Sequence, residues 1–168
     1  DTRPGTVREL VDRIGRAEIV INIRSSCRFE RQVLDSCPSL RLISIWGTGV
    51  DNVDLDAARD HSVAVTNTPA VAKDTVAEHT LMLMLAAGRR ILEVDQSVRD
   101  GLWPRATIAQ LNGKTLGLIG VGAIGRRVAE LGKGIGMDVI AWTFHPSADL
   151  GREVGLQWAD FDEVISKS

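Results

Sequence analysis

Apolar and polar positions recur along this chain in two periods, and the period changes from one short segment to the next. Val7, Leu10, Val11 and Ile14 fall at helical spacing behind Thr6 and Glu9, a capping-box pair, and Gly15 is a natural C-terminal stop. Glu18 to Ile23 is a β-branched run that predicts a buried strand. Phe29 to Cys37 predicts a helix that Pro38 ends, and Leu40 to Trp46 predicts a strand closed by Gly47-Thr48-Gly49. Asp54 can N-cap a short helix over Leu55 to Asp60. Ser62 to Thr66 is strand-like again and leads into the turn Asn67-Thr68-Pro69. Strand–helix–strand repetition of this kind predicts βαβ units and a parallel sheet.

The pattern then changes. Thr75 and Glu78 form a second capping box, opening a helix that is apolar almost all round from Leu81 to Ala87. A helix without a polar face is expected to be buried on several sides, and a clamp between two lobes is the simplest use for it. Gly88-Arg89-Arg90 marks a return to water, and Arg99 to Gly113, which holds Trp103, reads as a connecting arm. A second βαβ unit begins at Lys114. Its strand is Thr115 to Ile119, its turn Gly120 to Gly125, its helix about Arg126 to Gly134 and its next strand Met137 to Trp142.

Composition narrows the class. Of 168 residues, 44% are hydrophobic and 25% charged, enough apolar material for one ordinary core or two small ones. Twenty Lys and Arg against 22 Asp and Glu leave no basic excess, so neither nucleic acid nor a membrane surface is the expected partner. The longest apolar run, Leu81 to Ala87, falls far short of the ~20 residues that span a bilayer. No signal-peptide h-region follows Asp1. Cys27 and Cys37 read most simply as reduced thiols of a cytoplasmic protein, with a bridge between them left open, and no metal site is expected. The chain does not begin with Met, and its last residues run out in a helix-like pattern, so both ends are expected to be cut.

Gly120, Gly122 and Gly125 fit G-x-G-x-x-G between a β-branched strand and a helix, the context that a dinucleotide fingerprint requires. Gly120 permits the tight turn. Gly122 lets the main chain approach a pyrophosphate, and Gly125 lets helix and strand pack closely. The helix N-terminus offers N–H donors to the phosphates. A carboxylate at the tip of the following strand would grip the ribose hydroxyls of NAD. That tip is Thr143, 23 residues after Gly120, followed by Phe144-His145-Pro146-Ser147, while Asp138 stands at the opposite end of the strand. Without a carboxylate to repel it, a 2′-phosphate is tolerable, with Thr143, His145 and Ser147 as donors, so the cofactor is NAD or NADP. In the first half, Gly47-Thr48-Gly49 is a small-residue turn that can aim successive N–H groups at an anion, and by itself it is equally a plain turn.

Four stretches then come into register with one family. Gly47-Thr48-Gly49-Val50-Asp51-Asn52-Val53-Asp54-Leu55, Val65-Thr66-Asn67-Thr68-Pro69, Thr75-Val76-Ala77-Glu78-His79-Thr80-Leu81 and Gly113 to Gly120 resemble the D-isomer-specific 2-hydroxyacid dehydrogenases over roughly residues 19–166. The phosphoglycerate dehydrogenase and glyoxylate/hydroxypyruvate reductase branches are the most similar in character. The resemblance implies an α/β fold with doubly wound parallel sheets in two Rossmann-like lobes. Both lobes would be incomplete in this chain and joined by a buried interdomain helix, with the active site in the cleft. It implies residues 1–70 as part of a substrate domain, 71–101 as interdomain helices and 102–168 as the first half of an NAD(P)-binding domain.

The same resemblance implies an oxidoreductase that moves a hydride between a nicotinamide and a D-2-hydroxy acid or 2-keto acid. Thr48 and Gly49 would bind the substrate carboxylate, with Arg24 and Ser25 facing the far end of the substrate. Thr48, Val76, Gly120, Gly122, Ala123, Ile124, Gly125, Thr143, Phe144 and His145 would line the cofactor. Trp103 would sit at a homodimer contact. The family's catalytic Arg, Glu and His would lie beyond Ser168, so residues 1–168 alone are expected to be inactive. None of His61, His79 and His145 matches the catalytic position. A corepressor-like dinucleotide sensor and a formate dehydrogenase share the fold and are the alternatives.

Overall fold

The computed structural model describes residues 4–23, 27–105 and 108–168. Its backbone falls into two compact units, Asp1–Val71 and Ala72–Ser168.

In the first unit, α1 (Val7–Ile14), β1 (Ile19–Ile23), α2 (Arg31–Asp35), β2 (Leu42–Trp46), α3 (Leu55–Asp60) and β3 (Ala64–Thr66) follow one another. The strands form a parallel sheet in the order β1-β2-β3, with Ile43 facing Val20 on one side and Val65 on the other. Local chemistry fixes the helix starts. The Thr6 side chain accepts the Glu9 N–H at 3.2 Å, and Asp54 accepts the Ala57 N–H at 2.8 Å. The Glu9 carboxylate reaches the Gly5 N–H at 2.6 Å, one residue earlier than a standard capping box. Leu10, Ile14, Val33, Leu34, Ala57 and Ala58 from the helices close over Ile43 and Ile45 to make the core.

Two expectations change in this unit. The strand Ile19–Ile23 is not buried: Ile19, Ile21 and Ile23 are exposed, because alternate residues point to opposite faces and the unit's core lies on one of them. The helix foreseen over 29–37 is shorter, because Phe29 is held by a parallel bridge to Val53 and trades backbone hydrogen bonds with Asn52 and Asp54. Cys27 and Cys37 are not joined by a disulfide.

The second unit contains α4 (Lys73–Gly88), α5 (Ile91–Arg99), β4 (Thr115–Ile119), α6 (Ala123–Gly134), β5 (Asp138–Trp142), α7 (Ala148–Val154), β6 (Gln157–Trp158) and α8 (Phe161–Lys167). Its sheet is parallel, in the order β4-β5-β6. Val128 and Ala129 of α6, Val139 and Ala141 of β5, Val154 of α7 and Ala77 of α4 share one core. Gly117 of β4 lies against Val164 and Ser168, so α8 also packs on this strand. The chain is therefore an α/β protein built on open parallel sheets.

Helix α4 departs from the expected start and burial. It begins at Lys73 with Ala72 at the N-cap, two residues before Thr75, and no side chain caps it. It packs on α6 through Ala77, its one buried residue, while Met82 and Leu83 are 50% and 53% exposed. Within this chain the helix is covered along one side, so its apolar circumference exceeds what α6 can cover.

Candidate substrate and cofactor sites

The fingerprint turn sits at the C-terminal end of β4. Gly120 has a φ of +94°, a conformation that L side chains rarely adopt, and its N–H donates to the Trp142 carbonyl at 2.8 Å. Gly122 is the N-cap of α6 and contributes no side-chain oxygen, and the first turn of this helix holds no acid. The first helical bond runs from the Arg126 N–H to the Gly122 carbonyl at 2.9 Å. Among the described residues, the N–H groups of Ala123, Ile124 and Gly125 have no acceptor. Helix α6 thus presents a first turn of donors, at the positive end of its dipole, with no protein group competing for an anion. A Cβ on Gly122 would meet nothing within 4 Å, so the space above the turn is open. A Cβ on Gly125 would strike the Gly120 carbonyl oxygen, so this glycine is required by packing. The helix begins at Ala123 rather than near Arg126, which places Ala123, Ile124 and Gly125 in its first turn.

Thr143 directly follows β5 and is half-buried, at the same sheet end as Gly120. Phe144 is 82% exposed and stands edge-on to Trp142, with ring centroids 4.8 Å apart. Trp142 makes a second edge contact with Phe161 at 5.3 Å. His145 is exposed. Ser147 is partly committed: its hydroxyl accepts the Leu150 N–H at 3.3 Å as the α7 cap, and its carbonyl accepts the Trp158 indole N–H at 2.9 Å. Val76 lies in the first turns of α4 and is exposed. This end of α4 is tied to α6, because Arg127 lies 3.0 Å from Asp74 and 2.7 Å from Glu130. The Glu130 carboxylate, with Asp74 behind it, holds the Arg127 guanidinium above its ordinary pKa.

In the first unit, Thr48 and Gly49 follow β2 and are exposed. Among the described residues neither N–H donates to a protein acceptor. Their carbonyl sides are engaged: Asn67 donates its side-chain N–H to the Thr48 carbonyl at 2.7 Å, and the Thr68 N–H donates to the Gly47 carbonyl at 2.9 Å. The Asp51 carboxylate stands beside Gly49, 3.1 Å from where a Cβ would be. Residues 67, 68 and 51 lay outside the sequence-level site. The signal that could have found them is the type of residue, since Asn and Thr side chains in turns bond neighbouring backbone. Arg24 and Ser25, assigned to the far end of the substrate, lie outside the described residues.

His61 caps the C-terminal end of α3 with both ring nitrogens engaged, Nδ1 at 2.9 Å from the Ala57 carbonyl and Nε2 at 2.9 Å from Asp35. That is a structural arrangement. His79 lies on α4 and is exposed. No group of His, Cys, Asp and Glu among the described residues could hold a metal ion. No helix among them is long and apolar enough to cross a membrane.

A strand–glycine turn–helix with open N–H donors, in a parallel sheet, defines the class: an α/β protein of the dinucleotide-binding kind. The chain belongs to the D-isomer specific 2-hydroxyacid dehydrogenase family, whose catalytic-domain model matches residues 2–161. It is 35% identical to a D-3-phosphoglycerate dehydrogenase of Archaeoglobus fulgidus over 95% of this chain and 31% of that protein. It is 30% identical to a glyoxylate reductase of Thermococcus litoralis over 95% of this chain and 50% of that protein. The solved structure of an acyclic imino acid reductase in complex with NADPH and D-Arg superposes with a TM-score of 0.81 at 28% identity, covering 97% of this chain and 52% of that one. The chain thus spans 31% to 52% of the length of these relatives.

Proposed function

We propose that the protein containing this chain is an NAD(P)-dependent oxidoreductase acting on a D-2-hydroxy acid or its 2-keto acid, of the phosphoglycerate, glyoxylate or hydroxypyruvate class. The observation that carries the reading is the first turn of α6. Its N–H groups have no partner among the described residues, no acid stands in the turn, and Gly122 leaves the approach clear. Those features fit a diphosphate held by backbone donors. The relatives' names support a hydroxy-acid substrate over the corepressor-like and formate readings.

In this reading the bound nicotinamide supplies hydride transfer at C4. The chain's own residues bind and orient. The Ala123, Ile124 and Gly125 N–H groups hold the diphosphate over Gly122, and Val76 gives the nicotinamide an apolar neighbour. Thr143, Phe144 and His145 meet the ribose end, where the absence of a carboxylate leaves both NAD and NADP open. The Thr48 and Gly49 N–H groups take the substrate carboxylate, with Arg24 and Ser25 toward its far end.

We assign residues 1–70 to part of the acid-binding domain, 71–101 to interdomain helices and 102–168 to the first half of the dinucleotide domain. The backbone division after Val71 supports the first boundary. A homodimer through α5 and the arm suits a surface on which Leu92 is 82% and Trp103 84% exposed. The cytoplasm suits the unbridged thiols.

The test uses the full-length protein: titration with NADH and NADPH by fluorescence, then reduction of glyoxylate, hydroxypyruvate and phosphohydroxypyruvate followed by loss of the reduced cofactor. Saturable binding and turnover of one acid support the reading. A full-length protein that binds neither nucleotide overturns it.

A further inference from the structure

Among the described residues, the turn after β2 is held from the end of β3. Strands β2 and β3 are parallel neighbours, with Ser44 opposite Thr66, so the residues that follow each strand continue side by side. Four hydrogen bonds join them. The Gly47 N–H donates to the Thr68 hydroxyl at 2.9 Å, and that hydroxyl donates to the Gly47 carbonyl at 3.4 Å. The Thr68 N–H donates to the same carbonyl at 2.9 Å, and the Asn67 amide donates to the Thr48 carbonyl at 2.7 Å.

The consequence follows from peptide geometry. No peptide bond among the described residues is cis, and in a planar trans peptide the N–H points opposite to the carbonyl. Thr68 pins the Gly47 carbonyl, which turns the Thr48 N–H away from β3. Asn67 pins the Thr48 carbonyl, which turns the Gly49 N–H the same way. Two successive N–H groups on one side form an anion-binding concavity. Both residues are exposed, and neither N–H has a protein acceptor among the described residues.

We propose that Asn67 and Thr68 are positioning residues for the acid-binding turn, holding the Gly47 and Thr48 carbonyls so that the Thr48 and Gly49 N–H groups face the substrate carboxylate. This rests on the reading above that the turn takes that carboxylate. Neither side chain touches the substrate. Without its bond, the Thr48–Gly49 peptide rotates freely and must be ordered at each binding event, which weakens the anion contact.

The experiment uses the full-length protein and oxalate as an unreactive carboxylate probe, with NADH saturating. Four quantities are read: the oxalate inhibition constant, the KM of the best keto acid, the NADH dissociation constant and the thermal midpoint. Asn67→Ala is expected to raise the oxalate constant and the KM about tenfold, the effect of losing one oriented hydrogen bond. Thr68→Val loses the hydroxyl contacts to Gly47 but keeps its backbone N–H on the Gly47 carbonyl, so its rise should be smaller, about two- to threefold. NADH affinity should hold within about twofold, and Thr68→Ser should restore wild-type values, since it keeps the hydroxyl. Asn67 is exposed, so its variant stays informative if Thr68→Val does not fold. An unchanged oxalate constant in Asn67→Ala overturns the proposal. So does a rise matched by equal loss of NADH affinity and a lower midpoint, which marks general structural damage. Failure of the underlying reading looks different: the unmutated protein then neither binds oxalate nor reduces any keto acid, and the positioning role falls with it.

Discussion

Gly125 packs so closely on Gly120 that no Cβ fits between helix α6 and the end of β4: the built atom would strike the Gly120 carbonyl oxygen, which is backbone and cannot swing aside. Gly122, three residues earlier, faces open space. The two glycines therefore fail in different ways. Gly125→Ala is expected to lower stability by ~1–3 kcal/mol, the usual range for overpacking. Gly122→Ala should leave the thermal midpoint of the full-length protein unchanged and weaken NADH binding about tenfold or more, because the new methyl stands where the diphosphate is proposed to approach. Calorimetry and a fluorescence titration separate them. A Gly122→Ala variant that binds NADH normally would place the dinucleotide elsewhere.

Much of this arrangement is legible in the amino-acid order because it depends on local chemistry. Thr6 and Asp54 cap the helices they precede, and the glycine spacing after Ile119 can be read directly. What escaped is what depends on neighbours distant in sequence. Nothing local says that Asn67 will reach the Thr48 carbonyl, because that bond exists only once β2 and β3 pair. The same holds for Asp74 and Arg127, which meet across two helices. The start of α4 differs from the expectation because Thr75 and Glu78 carry a cap signature, while the helix begins at Lys73 with Ala72 at the N-cap and no side-chain cap. The β-branched run in β1 gave the right strand and the wrong burial, since period and composition do not say how many faces are covered.

That burial difference is measurable. Ile43 is fully buried at the centre of the first sheet, while Ile21 on the neighbouring strand is 68% exposed. Ile43→Ala is expected to cost ~2–5 kcal/mol through lost burial and a residual cavity. Ile21→Ala should cost well under half of that. Urea unfolding of residues 1–168 reads both. If the same ranking is absent in the full-length protein, with Ile21→Ala as costly as Ile43→Ala, the face carrying Ile21 is covered there.

Asp51 gives a charge test of the turn after β2. Its carboxylate is beside Gly49, close to where the substrate carboxylate is proposed to sit, and like charges at that range oppose binding. Asp51→Asn is expected to lower the KM for the keto acid several-fold, with the advantage shrinking as salt is raised. Steady-state kinetics at two ionic strengths provide the measurement. A KM that rises instead would mean that Asp51 orders the turn.

Acid sensitivity has one identifiable source in α8. The Lys167 ammonium donates to the Glu163 carboxylate at 2.5 Å and holds that carboxyl below its ordinary pKa. A depressed carboxyl favours the folded state at any pH above its unfolded value, and the contribution is lost as pH falls through the folded value. Glu163→Gln should therefore lower the thermal midpoint slightly at neutral pH, and the difference from wild type should shrink as pH falls below the ordinary carboxyl range and through the lowered folded value. Melting curves across that range decide it. A difference that persists in acid would assign the effect to packing instead of charge.

The ribose end sets the last expectation. Thr143 occupies the tip of β5 where a carboxylate would grip the ribose hydroxyls and repel a 2′-phosphate, and Ser147 is already engaged as the α7 cap. In the proposed reading Thr143 brings no negative charge to this tip, so discrimination between the two cofactors would rest on neutral donors, which tolerate either one. Thr143→Asp restores the missing charge. It is expected to weaken NADPH binding about tenfold or more while leaving NADH unchanged or tighter, since only the phosphorylated ribose meets repulsion. Parallel titrations of wild type and variant with both reduced cofactors measure the ratio. If the variant loses NADH and NADPH equally, Thr143 is packed against structure rather than ribose, and the cofactor's adenosine half must lie away from the end of β5.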